Sequence, residues 1–148
     1  MRKQLFVKKS LITAFVLMFI LSVSASCLAA KTGSDFVAEA KKTVEEISVD
    51  DAKADIDAGK VAFIVDCRTE KEFDRGHLPK AIHVDRGLLE FQANEELPDK
   101  DAYIICYCKT GGRSCLATNT LTEMGYTSVK SMAGGWKAWI KAGYPIEE

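Results

Sequence analysis

An apolar run, Tyr103-Ile-Ile-Cys-Tyr107, ends against Cys108 and is followed at once by Lys109-Thr-Gly-Gly-Arg-Ser114. The pattern predicts a strand, a glycine-rich loop and the opening of a helix, a turn that aims backbone N–H groups and the positive end of a helix at one point. A sulfur placed there has its anion stabilised and its pKa lowered, so Cys108 reads as a nucleophile. Cys106 lies two residues back on the same strand. Residues so spaced point the same way with Cα atoms about 6.6 Å apart, close to the upper limit for a disulfide and with parallel Cβ vectors. Cys106 therefore reads as a small buried apolar residue.

The other groups able to do chemistry have plainer readings. Asp66 and Arg68 follow the run Val61-Ala-Phe-Ile-Val65 and lie at the carboxyl end of a second strand. His77 and His83 are the two histidines, and neither has a Ser or Asp at a spacing that suggests a triad; His77, in Gly-His-Leu-Pro79, reads as a turn hydrogen bond. Cys106, Cys108 and a histidine lack the paired spacing of zinc sites, so neither a metal nor a cofactor is expected. Cys67 and Cys115 stay open: Cys115 falls in the first turn of the helix after the loop, near Cys108 or behind it.

The elements that must position these groups alternate. Helices are expected over 35–46, capped by Ser34, and from Asp50 or Asp51 to near Gly59. Strand 61–65, a short helix over 70–74 and a short strand over 81–84 follow. Strand 103–107, a helix over 113–124 closed by Gly125, strand 128–132 and a helix over 136–142 complete the chain. Trp136, Trp139 and Ile140 share one face of that last helix and read as core. Alternation of this kind predicts an α/β fold with a mostly parallel sheet covered on both faces. Reactive groups then gather at the carboxyl ends of strands, where Asp66, Arg68 and Cys108 all fall.

Residues 1–30 read as a secretory signal peptide: Arg2, Lys3, Lys8 and Lys9 precede the uncharged run Leu11 to Val23, and small residues follow. The run is short for a membrane span, which favours removal near Ala29 or Ala30. The expected location is the periplasm, the oxidising side of a membrane. Ser24-Ala-Ser-Cys27 partly resembles a lipoprotein signal, in which case Cys27 would carry a lipid and the chain would be membrane-anchored. Without the leader the chain carries 21 acidic residues and a net charge of about −5. It has no basic cluster, which excludes a nucleic-acid partner.

Four motifs in order, Ile64-Val-Asp-Cys-Arg68, Phe73 to Ile82 (FDRGHLPKAI), Cys108 to Ser114 (CKTGGRS), and Gly134-Gly-Trp136 with Gly143-Tyr-Pro145, resemble the single-domain rhodaneses, which are sulfurtransferases. The resemblance spans about residues 46–147. It divides the chain into the leader, a helical extension over 31–45 and a rhodanese-like domain over 46–148, and it implies a five-stranded parallel sheet. It also implies that Cys108 carries a sulfane sulfur as a persulfide, taken from a small anionic donor such as thiosulfate or a polysulfide. The acceptor would be cyanide or a thiol, a protein thiol included. The N–H groups of Lys109, Thr110, Gly111, Gly112 and Arg113 would cradle that anion. Gly111 and Gly112 supply the backbone freedom such a loop needs, and Lys109 and Arg113 either attract the donor or face solvent. Asp66 and Arg68 would hold the loop in place.

Cys108 to Arg113 is Cys-x4-Arg, one residue shorter than the Cys-x5-Arg loop that the cysteine phosphatases on this fold resemble. The smaller cradle suits a sulfur atom better than a tetrahedral phosphate. A second class of reading also stands beside sulfur transfer: a rhodanese-like sulfur-carrier or binding module, or a periplasmic thiol-disulfide exchanger.

Overall fold

The computed structural model describes residues 30–148. The leader expected over 1–30, with Cys27 in it, lies outside the described residues except for Ala30. Residues 32–148 form one compact unit. Its elements are α1 (Gly33–Ala40), β1 (Glu45–Ile47), α2 (Val49–Asp57), β2 (Phe63–Asp66), α3 (Glu70–Phe73), β3 (Ile82–His83), α4 (Leu89–Glu96), β4 (Ile104–Tyr107), α5 (Gly112–Glu123), β5 (Val129–Met132) and α6 (Gly135–Lys141). All strand pairs are parallel and the order across the sheet is β1-β5-β4-β2-β3.

The α/β architecture and the five-stranded parallel sheet are as expected; two elements are not. The helix expected over 35–46 stops at Ala40, and Glu45–Ile47 instead pairs with Lys130–Met132 as an edge strand. Ion pairs of Glu46 with Lys41 and of Glu45 with Lys130 run beside it. The cap is Thr32 rather than Ser34, because Thr32 and Asp35 stand three apart and satisfy each other's backbone N–H groups in a capping box. The second unexpected element is α4, whose last carbonyls at Ala93 and Leu97 accept from the Tyr126 hydroxyl, both at 2.8 Å.

Continuous apolar runs make β2 and β4 fit for burial on both faces, and β4 is buried at every position. Alternation along β4 sends Ile104, Cys106 and Cys108 into a core with Val65, Cys67, Leu89, Ala93 and Leu121, under α4 and α5. Ile105 and Tyr107 enter the opposite core with Ile64, Ala52 and Trp139, under α2 and α6. Each large side chain so buried contributes about 1.5–3 kcal/mol.

Chain direction then selects the site. The connection leaving β2 runs outward to β3, whereas the one leaving β4 runs the other way to β5. Neighbouring strands whose connections part in this manner open a crevice beyond their carboxyl ends. Asp66-Cys67-Arg68 ends one of these strands and Cys108 ends the other. Among the described residues no helix is long and apolar enough to cross a membrane.

Candidate active site

Cys108 is 1% exposed and sits under the loop that joins β4 to α5. Gly111, at φ 104°, caps α5 in the left-handed region that glycine alone adopts freely, and its N–H donates to the Cys108 sulfur at 3.3 Å. Burial by itself would push the thiol up. The backbone N–H groups of Ser114, Thr110 and Gly111, with the Ser114 hydroxyl, outweigh burial and hold Cys108 below the ordinary thiol range. Of the five loop residues expected to form the cradle, Thr110 and Gly111 therefore direct N–H groups at the sulfur. Ser114, which sequence reasoning quoted in the motif but did not count as a site residue, contributes more than either. Gly112 does not use a positive φ, and a Cβ there would meet Val37 Cγ2 at an ordinary 3.7 Å. The Ser114 hydroxyl also lies 3.1 Å from the Gly111 carbonyl oxygen and 3.0 Å from Ser131 Oγ on β5, which ties the loop to the sheet.

A second clamp holds the loop from α6. The N–H of Trp136 donates to the Cys108 carbonyl at 2.7 Å and that of Lys137 to the Lys109 carbonyl at 3.1 Å. This contact explains the Gly134-Gly135-Trp136 motif: Gly135 has φ 55°, and a Cβ on it would stand 2.2 Å from the Cys108 carbonyl oxygen. With those two carbonyls drawn to α6, the following N–H groups are free to turn to the sulfur.

Asp66 and Arg68 meet as a buried pair, 0% and 3% exposed. Arg68 Nε donates to both Asp66 oxygens at 2.9 Å, Nη2 donates to Oδ2 at 2.6 Å and to the Gly76 carbonyl at 2.7 Å. The guanidinium lies over the Trp136 ring, 4.5 Å from its centroid. Trp136 thus covers Arg68, while Trp139 fills the core and Ile140 is exposed, so the apolar face expected on α6 divides into separate tasks. Arg68, Glu72, Arg75, Gly76, Lys109 and Trp136 line an open pocket of about 180 Å3.

Arg113 is committed to Glu72, donating at 2.8 and 3.0 Å, and this pairing holds the Glu72 carboxyl down to about 2. Lys109 is exposed at the pocket rim, where Arg75 adds a cation that sequence reasoning missed. His77 Nδ1 lies 3.0 Å from the Leu78 carbonyl in its turn, and His83 Nε2 lies 2.9 Å from the Arg68 carbonyl. Cys106 is buried in the core, as its position on β4 suggested. Cys115 is buried behind the loop, its sulfur 4.0 Å from the Val37 carbonyl of α1 and its thiol pushed up by burial. Among the described residues no cluster of His, Cys, Asp and Glu could hold a metal ion.

A five-stranded parallel sheet with a cysteine under an amide-lined loop at its switch point defines the rhodanese class of fold and site. The chain belongs to the rhodanese-like domain family, which matches it over residues 48–142. It is 37% identical over 93 residues to the chloroplastic thiosulfate sulfurtransferase 16 of Arabidopsis thaliana, covering 56% of this chain and 78% of that one. It is also 29% identical over 109 residues to a candidate sulfur carrier protein of Bacillus subtilis, covering 74% of this chain and 58% of the carrier's length. A solved structure from Rhodopseudomonas palustris, described as a protein of unknown function and possible tyrosine phosphatase, superposes with a TM-score of 0.72 at 34% identity. That match covers 80% of this chain and 96% of the other.

Proposed function

We propose that this protein is an exported sulfurtransferase that moves a sulfane sulfur through a persulfide on Cys108. The observation that carries the reading is the Cys108 thiol, lowered by three N–H groups and a hydroxyl in spite of its burial. The thiolate attacks the outer sulfur of thiosulfate or a related donor; the donor S–S bond breaks and sulfite leaves. Cyanide or a thiol then attacks the outer sulfur of Cys108–S–S−, and the thiolate is restored. Both states of Cys108 are anionic, so one set of fixed N–H donors serves both half-reactions without rearranging. Lys109 and Arg75 at the pocket rim favour approach of an anionic donor. The family relationship, with relatives named as thiosulfate sulfurtransferases and as a candidate sulfur carrier, supports this class of chemistry.

Incubation with thiosulfate and cyanide should yield thiocyanate, and intact mass should gain one sulfur when cyanide is omitted. Cys108→Ser should lose both signals. Neither thiocyanate nor added mass in the wild type would overturn the reading in favour of a binding module or a disulfide exchanger. The six-residue loop of this chain argues against its having the phosphatase activity suggested for the Rhodopseudomonas protein. Hydrolysis of a phenyl phosphate that vanished in Cys108→Ser would reverse that judgement.

A further inference from the structure

Cys67 is a buried thiol, 1% exposed, that the transfer scheme does not use. Its N–H donates to the Tyr107 carbonyl at 2.8 Å, which extends by one step the register that sets Asp66 opposite Tyr107. The next pair in that register is Cys67 and Cys108. Register partners on neighbouring parallel strands project to the same face about 4.8 Å apart, within the roughly 4.4–6.8 Å between Cα atoms that a disulfide spans. Both belong to the same core cluster. Contact with the Cys106 thiol comes first in pushing the Cys67 thiol well up, followed by burial and the nearby charges of Cys108 and Asp66. Cys67 therefore stays protonated while Cys108 is a thiolate.

We propose that Cys67 is a resolving thiol that discharges the Cys108 persulfide as hydrogen sulfide, leaving a Cys67–Cys108 disulfide. This rests on the persulfide reading of Cys108. The Cys67 sulfur attacks the inner, Cys108 sulfur of Cys108–S–S− as the Cys67 proton passes to the outer sulfur. The Cys67–Cys108 bond forms, the bond to the outer sulfur breaks, and that sulfur leaves as hydrosulfide, which takes a proton from solvent to become hydrogen sulfide. The Cys67 sulfur loses one electron and the outer sulfur gains it, so no outside oxidant is required. An external dithiol restores the reduced protein. The Gly111 N–H meets the Cys108 sulfur from the loop side, so an outer sulfur extending toward the loop would leave the opposite side of the inner sulfur facing the core, where Cys67 lies. Cys106 shares a strand with Cys108 and projects parallel to it, and Cys115 faces the Val37 carbonyl, so neither is placed for this step. Because the attacking species is a thiolate and Cys67 is held protonated, resolution is slow. The carried sulfur then survives where an acceptor is abundant and is discarded as sulfide where none arrives.

The test loads the protein with sodium polysulfide, removes excess reagent, and incubates it without an acceptor. The wild type should pass from a species one sulfur heavier than the reduced protein to one two hydrogens lighter, with stoichiometric sulfide and a Cys67–Cys108 linkage in non-reducing peptide maps. Cys67→Ala should keep its added sulfur and still form thiocyanate from thiosulfate and cyanide, which also reports that it folds. Cys106→Ala removes the contact that comes first in holding Cys67 protonated, so it should form the same Cys67–Cys108 linkage and form it faster than the wild type. A wild-type persulfide as long-lived as that of Cys67→Ala, or a linkage mapped to Cys106 or Cys115, overturns the inference and leaves the sulfurtransferase reading intact. Failure of both polysulfide and thiosulfate to place any sulfur on Cys108 defeats both.

Discussion

The ends of β2 and β4 lie side by side and hold negative charge in opposite ways. At β2 the Asp66 carboxylate is met by the guanidinium of Arg68, which is itself met by the Gly76 carbonyl and the Trp136 ring. At β4, among the described residues, no cationic side chain is hydrogen-bonded to the sulfur; backbone N–H groups and one hydroxyl converge on it. A side-chain pair gives one charge one fixed partner. Fixed amides serve an anion that passes from the thiolate to the persulfide without rearranging. The first arrangement is therefore scaffold and the second is the reactive one.

Removing one half of the scaffold pair should have the largest effect. Asp66→Ala leaves Arg68 charged and buried without its partner, a change that costs about 3–5 kcal/mol, whereas removing both charges is often close to neutral. Urea denaturation should show that loss in Asp66→Ala and partial recovery in Asp66→Ala/Arg68→Met. A loss under about 1 kcal/mol, as for an exposed pair, would sink the idea that this end is scaffold.

At the reactive end the corresponding probe is Ser114→Ala. It removes the hydroxyl that favours the Cys108 anion and leaves the Ser114 N–H in place. Because the folded thiol lies below its ordinary range, the thiolate persists to lower pH than in a free cysteine; losing a donor must move the midpoint upward. A hydrogen bond to the charged form favours it, so the midpoint should rise while the three N–H groups still hold it below the ordinary thiol range. The pH dependence of iodoacetamide alkylation measures it. An unmoved midpoint would mean that the amides alone hold the sulfur.

The two ends were not equally legible in the sequence. Cys108 and its loop stand out because a strand, a glycine-rich turn and a helix are contiguous, so local spacing carries the geometry. Asp66 and Arg68 were visible as residues at a strand end, but their cover was not: Trp136 arrives from α6, and Glu72 reaches Arg113 across 41 positions. Ser114 was inside the quoted motif yet escaped notice because its role depends on where its hydroxyl turns. The core strands announced themselves by continuous apolar runs. Edge strand β1, Glu45-Glu46-Ile47, offers one buried position, and α4 has Phe91 at 84% exposure beside buried Leu89 and Ala93, so neither follows a clear period. Both are fixed by tertiary pairing, which overrides local pattern.

Glu72 and Arg113 join the two ends, since α3 follows β2 and α5 follows β4. Arg113 holds the Glu72 carboxyl at about 2, down from 4.5. A carboxylate whose folded pKa is depressed contributes stability above its unfolded value, and that contribution disappears as pH falls through the folded one. The window here runs from 4.5 down to about 2. Because both side chains are partly open to solvent, the contribution should be below about 1 kcal/mol. Glu72→Gln should therefore be slightly less stable than the wild type at about pH 6, and the difference in urea midpoint should shrink at about pH 3. A difference that stays constant between those conditions would show that the two ends are coupled by packing rather than by this charge pair.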